Sequence, residues 1–74
     1  MRLKVELEQE EDGRWIAEVV DLPGVLVYGE GPEVALRAAR ALALRVIADR
    51  IEHGELDSQA NQVEFVLPQP STAA

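Results

Sequence analysis

The sequence has no cysteine and a single histidine, His53. Without thiols there is no disulfide and no thiolate metal site, and one imidazole cannot supply a histidine-rich zinc site. A chain of 74 residues buries only about 60% of the surface that its unfolded form exposes, so its core is small. Because disulfides and such metal sites are excluded, self-association is the remaining support for the fold, and we expect a homo-oligomer.

Long apolar runs are also missing. The N-terminal stretch MRLKVELEQEEDG reaches its acidic residues too early for a signal peptide. No stretch approaches the roughly 20 apolar residues that a membrane span needs. We therefore expect a soluble, cytoplasmic protein with no membrane partner.

Positive charge is scarce, because 14 acidic residues face 7 basic ones and the net charge is −7. Nucleic-acid binding depends on Lys and Arg that neutralise phosphates, so we expect no direct nucleic-acid binding. The acidic balance favours solubility and attraction to a basic partner. The arginines of the predicted helix are spread around it and do not form a stripe: Arg37, Arg40, Arg45 and Arg50.

Two N-terminal stretches alternate between apolar and polar residues, which is the period of a half-buried strand. They cover residues 2–8 and 14–20 and are joined across Asp12 and Gly13, a dipeptide typical of hairpin turns. We expect the core to receive every second side chain of each strand. These are Leu3, Val5 and Leu7 in the first strand and Trp15, Ala17 and Val19 in the second.

The remaining elements follow from turn and helix signals. The motif Asp21-Leu22-Pro23-Gly24 predicts a turn, and residues 25–28 predict a third strand. Gly29 precedes a helix that begins at Pro32, and Gly54 is a natural stop after residue 52 or 53. With residues 63–67 as a fourth strand, the predicted fold is α+β in the order β-β-β-α-β. It is one domain over residues 1–67, with a mostly antiparallel sheet, one long helix on one face and a disordered Pro-rich tail over 68–74.

The predicted helix has two apolar sectors. One is expected to pack on the sheet and contains Ala35, Leu36, Ala39, Leu42, Ala43 and Val46. The other contains Leu44, Ile47 and Ile51, which one sheet does not easily cover. These three residues are the candidate self-association face. The alternative is that they are ordinary scattered surface aliphatics.

The sequence motifs that could support catalysis or ligand binding do not indicate an enzyme. Gly29 and Gly31 lack the third glycine of a dinucleotide fingerprint and the lysine of a phosphate loop, so the glycines are expected to supply backbone angles. His53 lies at the predicted helix end, where a cationic ring complements the dipole. Glu6, Glu8 and Glu18 share a strand face and offer a conceivable Mg²⁺ nuclease site, although such alternating acids are typical of a solvated face. We predict no catalytic residue, no metal and no cofactor.

One stretch, DGRWIAEVVDLPGVLVYGEGPEVALRAARALAL, resembles the HicB-like antitoxin family. The resemblance covers residues 2 to about 52 and centres on the Asp-Leu-Pro-Gly turn with its correctly spaced flanks. The matching positions are Asp12, Gly13, Trp15, Ala17, Val19, Asp21, Leu22, Pro23, Gly24, Gly29, Glu33, Ala35 and Leu36.

The resemblance implies a partial ribonuclease-H-like fold, a dimer or tetramer, and a non-catalytic antitoxin. Such an antitoxin covers the active surface of a small basic HicA-type toxin that cleaves mRNA. The sequence departs from the family at Val25, where members often have cysteine, and at Gly31 and Pro32, where a serine or threonine often caps the helix. It also ends without the C-terminal DNA-binding domain of many members, so DNA autoregulation does not carry over. A solitary oligomeric scaffold or regulator with no toxin partner is the alternative function.

Overall fold

The computed structural model describes residues 1–56 and 58–68. Within them, the order predicted from the sequence is confirmed, with a short 3-10 helix added between the long helix and the fourth strand. Residues 69–74 of the expected disordered tail lie outside the described residues. The elements are β1 (Arg2–Gln9), β2 (Trp15–Val19), β3 (Leu26–Gly29), α1 (Pro32–Glu52), the 3-10 helix (Ser58–Asn61) and β4 (Glu64–Val66).

The four strands form one mixed sheet in the order β3-β2-β1-β4. β2 is antiparallel to both β1 and β3, whereas β4 is parallel to β1. The mixed pairing arises because α1 carries the chain from one edge of the sheet to the other, so β4 runs in the direction of β1. The predicted α+β fold with a mostly antiparallel sheet is therefore confirmed.

The core lies between α1 and one face of the sheet. Alternate residues of β1 and β2 reach it, as predicted, and Leu3, Val5, Ala17 and Val19 are buried. On the helix side the buried residues include Ala35, Ala39 and Ala43. Their small side chains let the helix backbone lie close to the strands.

Ile47 does not lie on an exposed sector of the helix, and this corrects the predicted self-association face. Its side chain is only 3% exposed and belongs to the core. The buried residues Ala35, Ala39, Ala43 and Ile47 are spaced by four, so the contact follows an i, i+4 ridge. Such a ridge is inclined to the helix axis and drifts by about 40° at each step. The contact therefore reaches Ile47. The prediction from sequence assigned Ile47 to the second apolar sector because it assumed a contact face parallel to the helix axis.

Both ends of α1 follow from backbone chemistry. Gly31 is the N-cap, with φ −143° and ψ 166° and no side-chain capping bond, and Pro32 occupies the first turn. At the other end, the N–H of Gly54 donates to the carbonyl of Ile51, and the N–H of Glu55 donates to that of Arg50. These two bonds form a Schellman motif, which satisfies carbonyls that the last turn leaves unpaired. Among the described residues, no helix has the length and apolarity to cross a membrane.

The Asp-Leu-Pro-Gly motif forms the predicted turn. Gly24 has φ +88°, which glycine adopts without a steric penalty, and the N–H of Val25 donates to the carbonyl of Leu22 over 3.1 Å. Asp21 has a further role that the pattern did not predict. Its Oδ2 accepts the N–H of Lys4 over 2.8 Å while the N–H of Val20 donates to the carbonyl of Lys4. The carboxylate of Asp21 thus takes the place of the backbone carbonyl that would accept the N–H of Lys4 in a regular antiparallel pair.

Gly29 is required for space and not for a backbone angle, which corrects the interpretation from sequence. The glycines with positive φ are Gly13, Gly24 and Gly54. A Cβ atom added at Gly29 would lie 2.6 Å from the backbone nitrogen of Ala35 and 2.9 Å from its Cα. Gly29 therefore lets the first turn of α1 lie directly against the end of β3.

Candidate functional site

The sheet face opposite α1 is open in the described part of the chain. Because strand side chains alternate, the residues between the core positions point to this face. Register pairs Glu6 with Glu18 and Glu8 with Ile16 across β1 and β2. It also pairs Ile16 with Tyr28 and Glu18 with Leu26 across β2 and β3. The open face therefore has an acidic half on β1 and an apolar half toward β3.

The acidic half forms a shallow groove of about 270 Å³. Its lining residues are Glu6, Glu8, Glu10, Ile16, Glu18 and Leu26. Glu6 and Glu18 are directly opposite each other, and like charges at such positions destabilise a sheet. A bound cation from another molecule would relieve this repulsion.

The charges of the groove have no internal partner among the described residues. The ion pairs of the described residues join Arg2 to Glu64 and Arg14 to Asp12, and the ring of His53 lies 3.4 Å from the carboxylate of Asp49. None of them includes Glu6, Glu8 or Glu18. Along the open face of β1 the residues run Arg2, Lys4, Glu6, Glu8, so negative charge is concentrated toward the hairpin end of the sheet.

The apolar half of the open face borders this groove. Leu26 and Tyr28 are 44% and 46% exposed, and Val20 is similarly accessible. The guanidinium carbon of Arg14 lies 4.4 Å from the centre of the Tyr28 ring, which is a cation–π contact. This face therefore combines exposed apolar side chains with carboxylates that have no ion-pair partner in the described segments.

The carboxylates of the groove are not clustered in the way that metal ligands are in the described part of the chain. Among residues 1–56 and 58–68, no group of three or more acidic or histidine side chains has an arrangement that could hold a metal ion. Glu6 and Glu18 are opposite each other, but Glu8 belongs to the next row of the sheet. The Mg²⁺ nuclease site considered from the sequence therefore has no support in the geometry.

His53 and Asp12 form hydrogen bonds to residues that are close to them in the sequence. His53 Nδ1 lies 2.7 Å from the carbonyl oxygen of Asp49, so the ring is held at the end of α1. In the β1–β2 hairpin, Asp12 accepts the N–H of Arg14 over 3.0 Å and its Nε–H over 2.8 Å. The backbone bond and, after it, the side-chain bond lower the pKa of Asp12 below its ordinary value of 3.8. Gly13, with φ +91°, completes this turn.

Two members of the predicted self-association face remain on the surface. Leu44 and Ile51 are 49% and 47% exposed, and Val34 near the start of α1 is comparably accessible. With Ile47 in the core, this helical patch is smaller than the sequence pattern predicted. Whether it takes part in self-association stays a prediction.

Sequence reasoning placed Glu6, Glu8 and Glu18 on one strand face but did not predict the groove. Two facts were missing. One is the strand order, which puts β2 in the centre beside both β1 and β3. The other is the register that places Leu26 next to Glu18 and Tyr28 next to Ile16. The exposed aliphatic and aromatic residues of β3 were the available signal.

Taken together, the molecule is a small α+β domain with a helix on one face of its sheet and an acidic, partly apolar surface on the other. Comparisons with protein-family models, with curated proteins and with solved structures found no match for this chain.

Proposed function

We propose that this chain is a non-catalytic binding protein, similar to a HicB antitoxin, that sequesters a small basic mRNA-cleaving toxin of the HicA type. The observation that carries the proposal is the open sheet face. Carboxylates of Glu6, Glu8 and Glu18 lie there without an ion-pair partner in residues 1–56 and 58–68, beside the exposed residues Leu26 and Tyr28. The resemblance around the Asp-Leu-Pro-Gly turn names the kind of partner.

This face suits a basic protein for two physical reasons. Complementary charge speeds the encounter of two proteins and orients them, and the effect weakens as salt is added. Apolar side chains that become fully buried on binding then supply most of the affinity. The acidic groove would meet cationic side chains of the toxin while Leu26 and Tyr28 contact its apolar surface.

Co-expression with a HicA-type toxin encoded beside this chain tests the proposal. We expect the chain to restore growth and to be recovered with the toxin in a pull-down. A toxin that stays fully toxic, or that does not bind the purified chain, would contradict the proposal.

A pair of charge variants tests whether the open face is the binding surface. The double variant Glu6→Gln/Glu18→Gln removes two charges from the groove, and Glu52→Gln/Glu55→Gln removes the same charge at the far end of α1. We expect the first to slow association by about tenfold at low salt and the second to change it little. Equal effects of the two variants would contradict a role for the groove.

The alternative is a solitary oligomeric scaffold that has no toxin partner. The exposure of Leu44 and Ile51 on α1 favours it, because apolar patches on a helix often pair with another copy. Leu44→Lys/Ile51→Lys would then convert an oligomer into a monomer in light scattering, and an unchanged mass would exclude this helical patch.

A further inference from the structure

The outer edge of β3 presents backbone groups that no other described strand pairs with. β3 is an outer strand of the sheet, and the N–H of Val19 donates to the carbonyl of Val25. Antiparallel pairs alternate between hydrogen-bonded and non-bonded positions, so Val27 and Gly29 bond to β2. The N–H and C=O groups of Leu26 and Tyr28 therefore point away from the sheet and have no strand partner in the described part of the chain.

This edge lacks the features that usually protect a sheet edge. Natural edge strands carry lysine, proline or a bulge that prevents pairing with another chain. β3 has the sequence Leu-Val-Tyr-Gly and no charge within it. The two residues whose backbone groups point outward, Leu26 and Tyr28, are also nearly half exposed on the open face. The opposite edge differs, because β4 is shorter and its Glu64 is paired with Arg2.

We propose that β3 pairs with β3 of a second copy, in an antiparallel register centred on Val27, and that the two sheets join into one continuous sheet. In this register Leu26 is opposite Tyr28 of the second copy, and the reverse pair is identical by symmetry. Every outward N–H and C=O of these two residues then has a partner. This inference does not rest on the proposed toxin-binding function. The dimer uses the backbone edge of Leu26 and Tyr28, whereas the toxin would contact their side chains on the open face.

The register follows from the residues that flank it. Centring the pair on Tyr28 would place Leu26 opposite Glu30, and centring it on Leu26 would place Tyr28 opposite Gly24. Only the register centred on Val27 places Leu26 opposite Tyr28 in both pairs, so that an aliphatic side chain meets an aromatic one each time. In this register Glu30 is opposite Gly24, which carries no charge. Ile16, which neighbours Tyr28 on β2, extends the apolar contact in both copies.

A second copy fits this edge better than an unrelated strand because the strand is complementary to itself. The two residues whose backbone groups point outward are Leu26, which is aliphatic, and Tyr28, which is aromatic. Two-fold pairing places each of them opposite the other. A small domain also gains proportionally more from covering such a surface, since its own core is limited. Two-fold pairing uses the same surface of both copies and closes after two chains.

Light scattering combined with hydrogen exchange tests the inference on the unmodified chain. We expect twice the mass of one chain, and amide protons of Leu26 and Tyr28 that become more protected as the concentration rises. A single chain has no acceptor for these protons within its described strands, so their protection reports the interface itself. A monomer at all concentrations, or a dimer in which these two amides exchange as fast as in dilute solution, would overturn the inference.

A matched pair of proline variants provides the second test. Leu26→Pro removes an outward N–H that does not bond to α1 or β2. Leu67→Pro makes the same change at a leucine outside the sheet, whose exposure of 43% is close to the 44% of Leu26. We expect the first variant to be a folded monomer and the second to remain a dimer, with circular dichroism as the check of folding. A folded Leu26→Pro variant that still dimerises would show that another surface forms the contact.

Discussion

Replacing Gly29 with alanine tests how closely α1 approaches the sheet. The new Cβ would lie 2.6 Å from the nitrogen of Ala35, whereas ordinary contacts begin at 3.4 Å. The helix would have to withdraw by about 0.8 Å, because the obstructing atom is backbone and cannot rotate away. Ala35 is fully buried, so this movement would loosen its packing against the strands.

The expected cost follows from two opposing effects. Overpacking a core by one methyl group costs about 1 to 3 kcal/mol, and we expect the upper end here since the clash is with backbone. Alanine offsets about 0.5 to 1 kcal/mol of this because it restricts the unfolded chain. The net loss is about 2 kcal/mol, which lowers the melting temperature of a domain of this size by about 8 to 16 °C.

Urea and thermal unfolding, followed by circular dichroism, measure this loss. Gly31→Ala is the matched control, since a Cβ at Gly31 meets no atom within 4 Å and its φ of −143° is accessible to alanine. We expect the control to change stability by less than about 0.5 kcal/mol, because a weaker N-cap and a stiffer unfolded chain nearly cancel. A Gly29→Ala variant as stable as the control would refute the argument from close approach.

Three further predictions concern the core, the Asp-Leu-Pro-Gly turn and the hairpin. Ile47→Ala should cost about 2 to 5 kcal/mol in urea unfolding, and Leu44→Ala less than about 1, because only Ile47 is buried. Asp21→Ala should cost about 1 kcal/mol by leaving the N–H of Lys4 without its acceptor, and Asp21→Asn should cost less since the amide oxygen still accepts. The carboxyl of Asp12 should titrate below 3.8 in NMR. Its contribution to stability is therefore present above that pH and is lost as the pH falls through the lowered pKa. Part of the depression should survive in Arg14→Gln, because the backbone N–H of residue 14, which is the leading cause, is unchanged by the substitution.

The predictions that succeeded from sequence rest on local chemistry. Alternation identified β1 and β2 and the side chains that they bury, because the strand period is independent of the rest of the fold. The turn at Asp21-Leu22-Pro23-Gly24 and the helix start at Pro32 were predicted in the same way, since each depends on a few neighbouring residues. The third strand was displaced by one residue, to Leu26–Gly29, because Val25 is held by the turn that precedes it.

The predictions that failed, and the features that were missed, depend on distant parts of the chain. Ile47 is buried because the contact of α1 with the sheet follows an inclined ridge. Gly29 is needed because the first turn of α1 lies against it. Asp21 bonds to Lys4, which is 17 residues away. No period or turn signal reports a contact of this kind.

Local sequence patterns were enough to predict the order of the strands and the long helix, their turns, and the core side of the first two strands. These depend on backbone preferences and on periodicity, which are local properties. Two features became visible only in the folded molecule. Glu6 and Glu18 meet across two strands beside Leu26, and the N–H groups of Leu26 and Tyr28 point outward at the edge of the sheet. Strand order and register determine these features, because they specify which distant residues become neighbours.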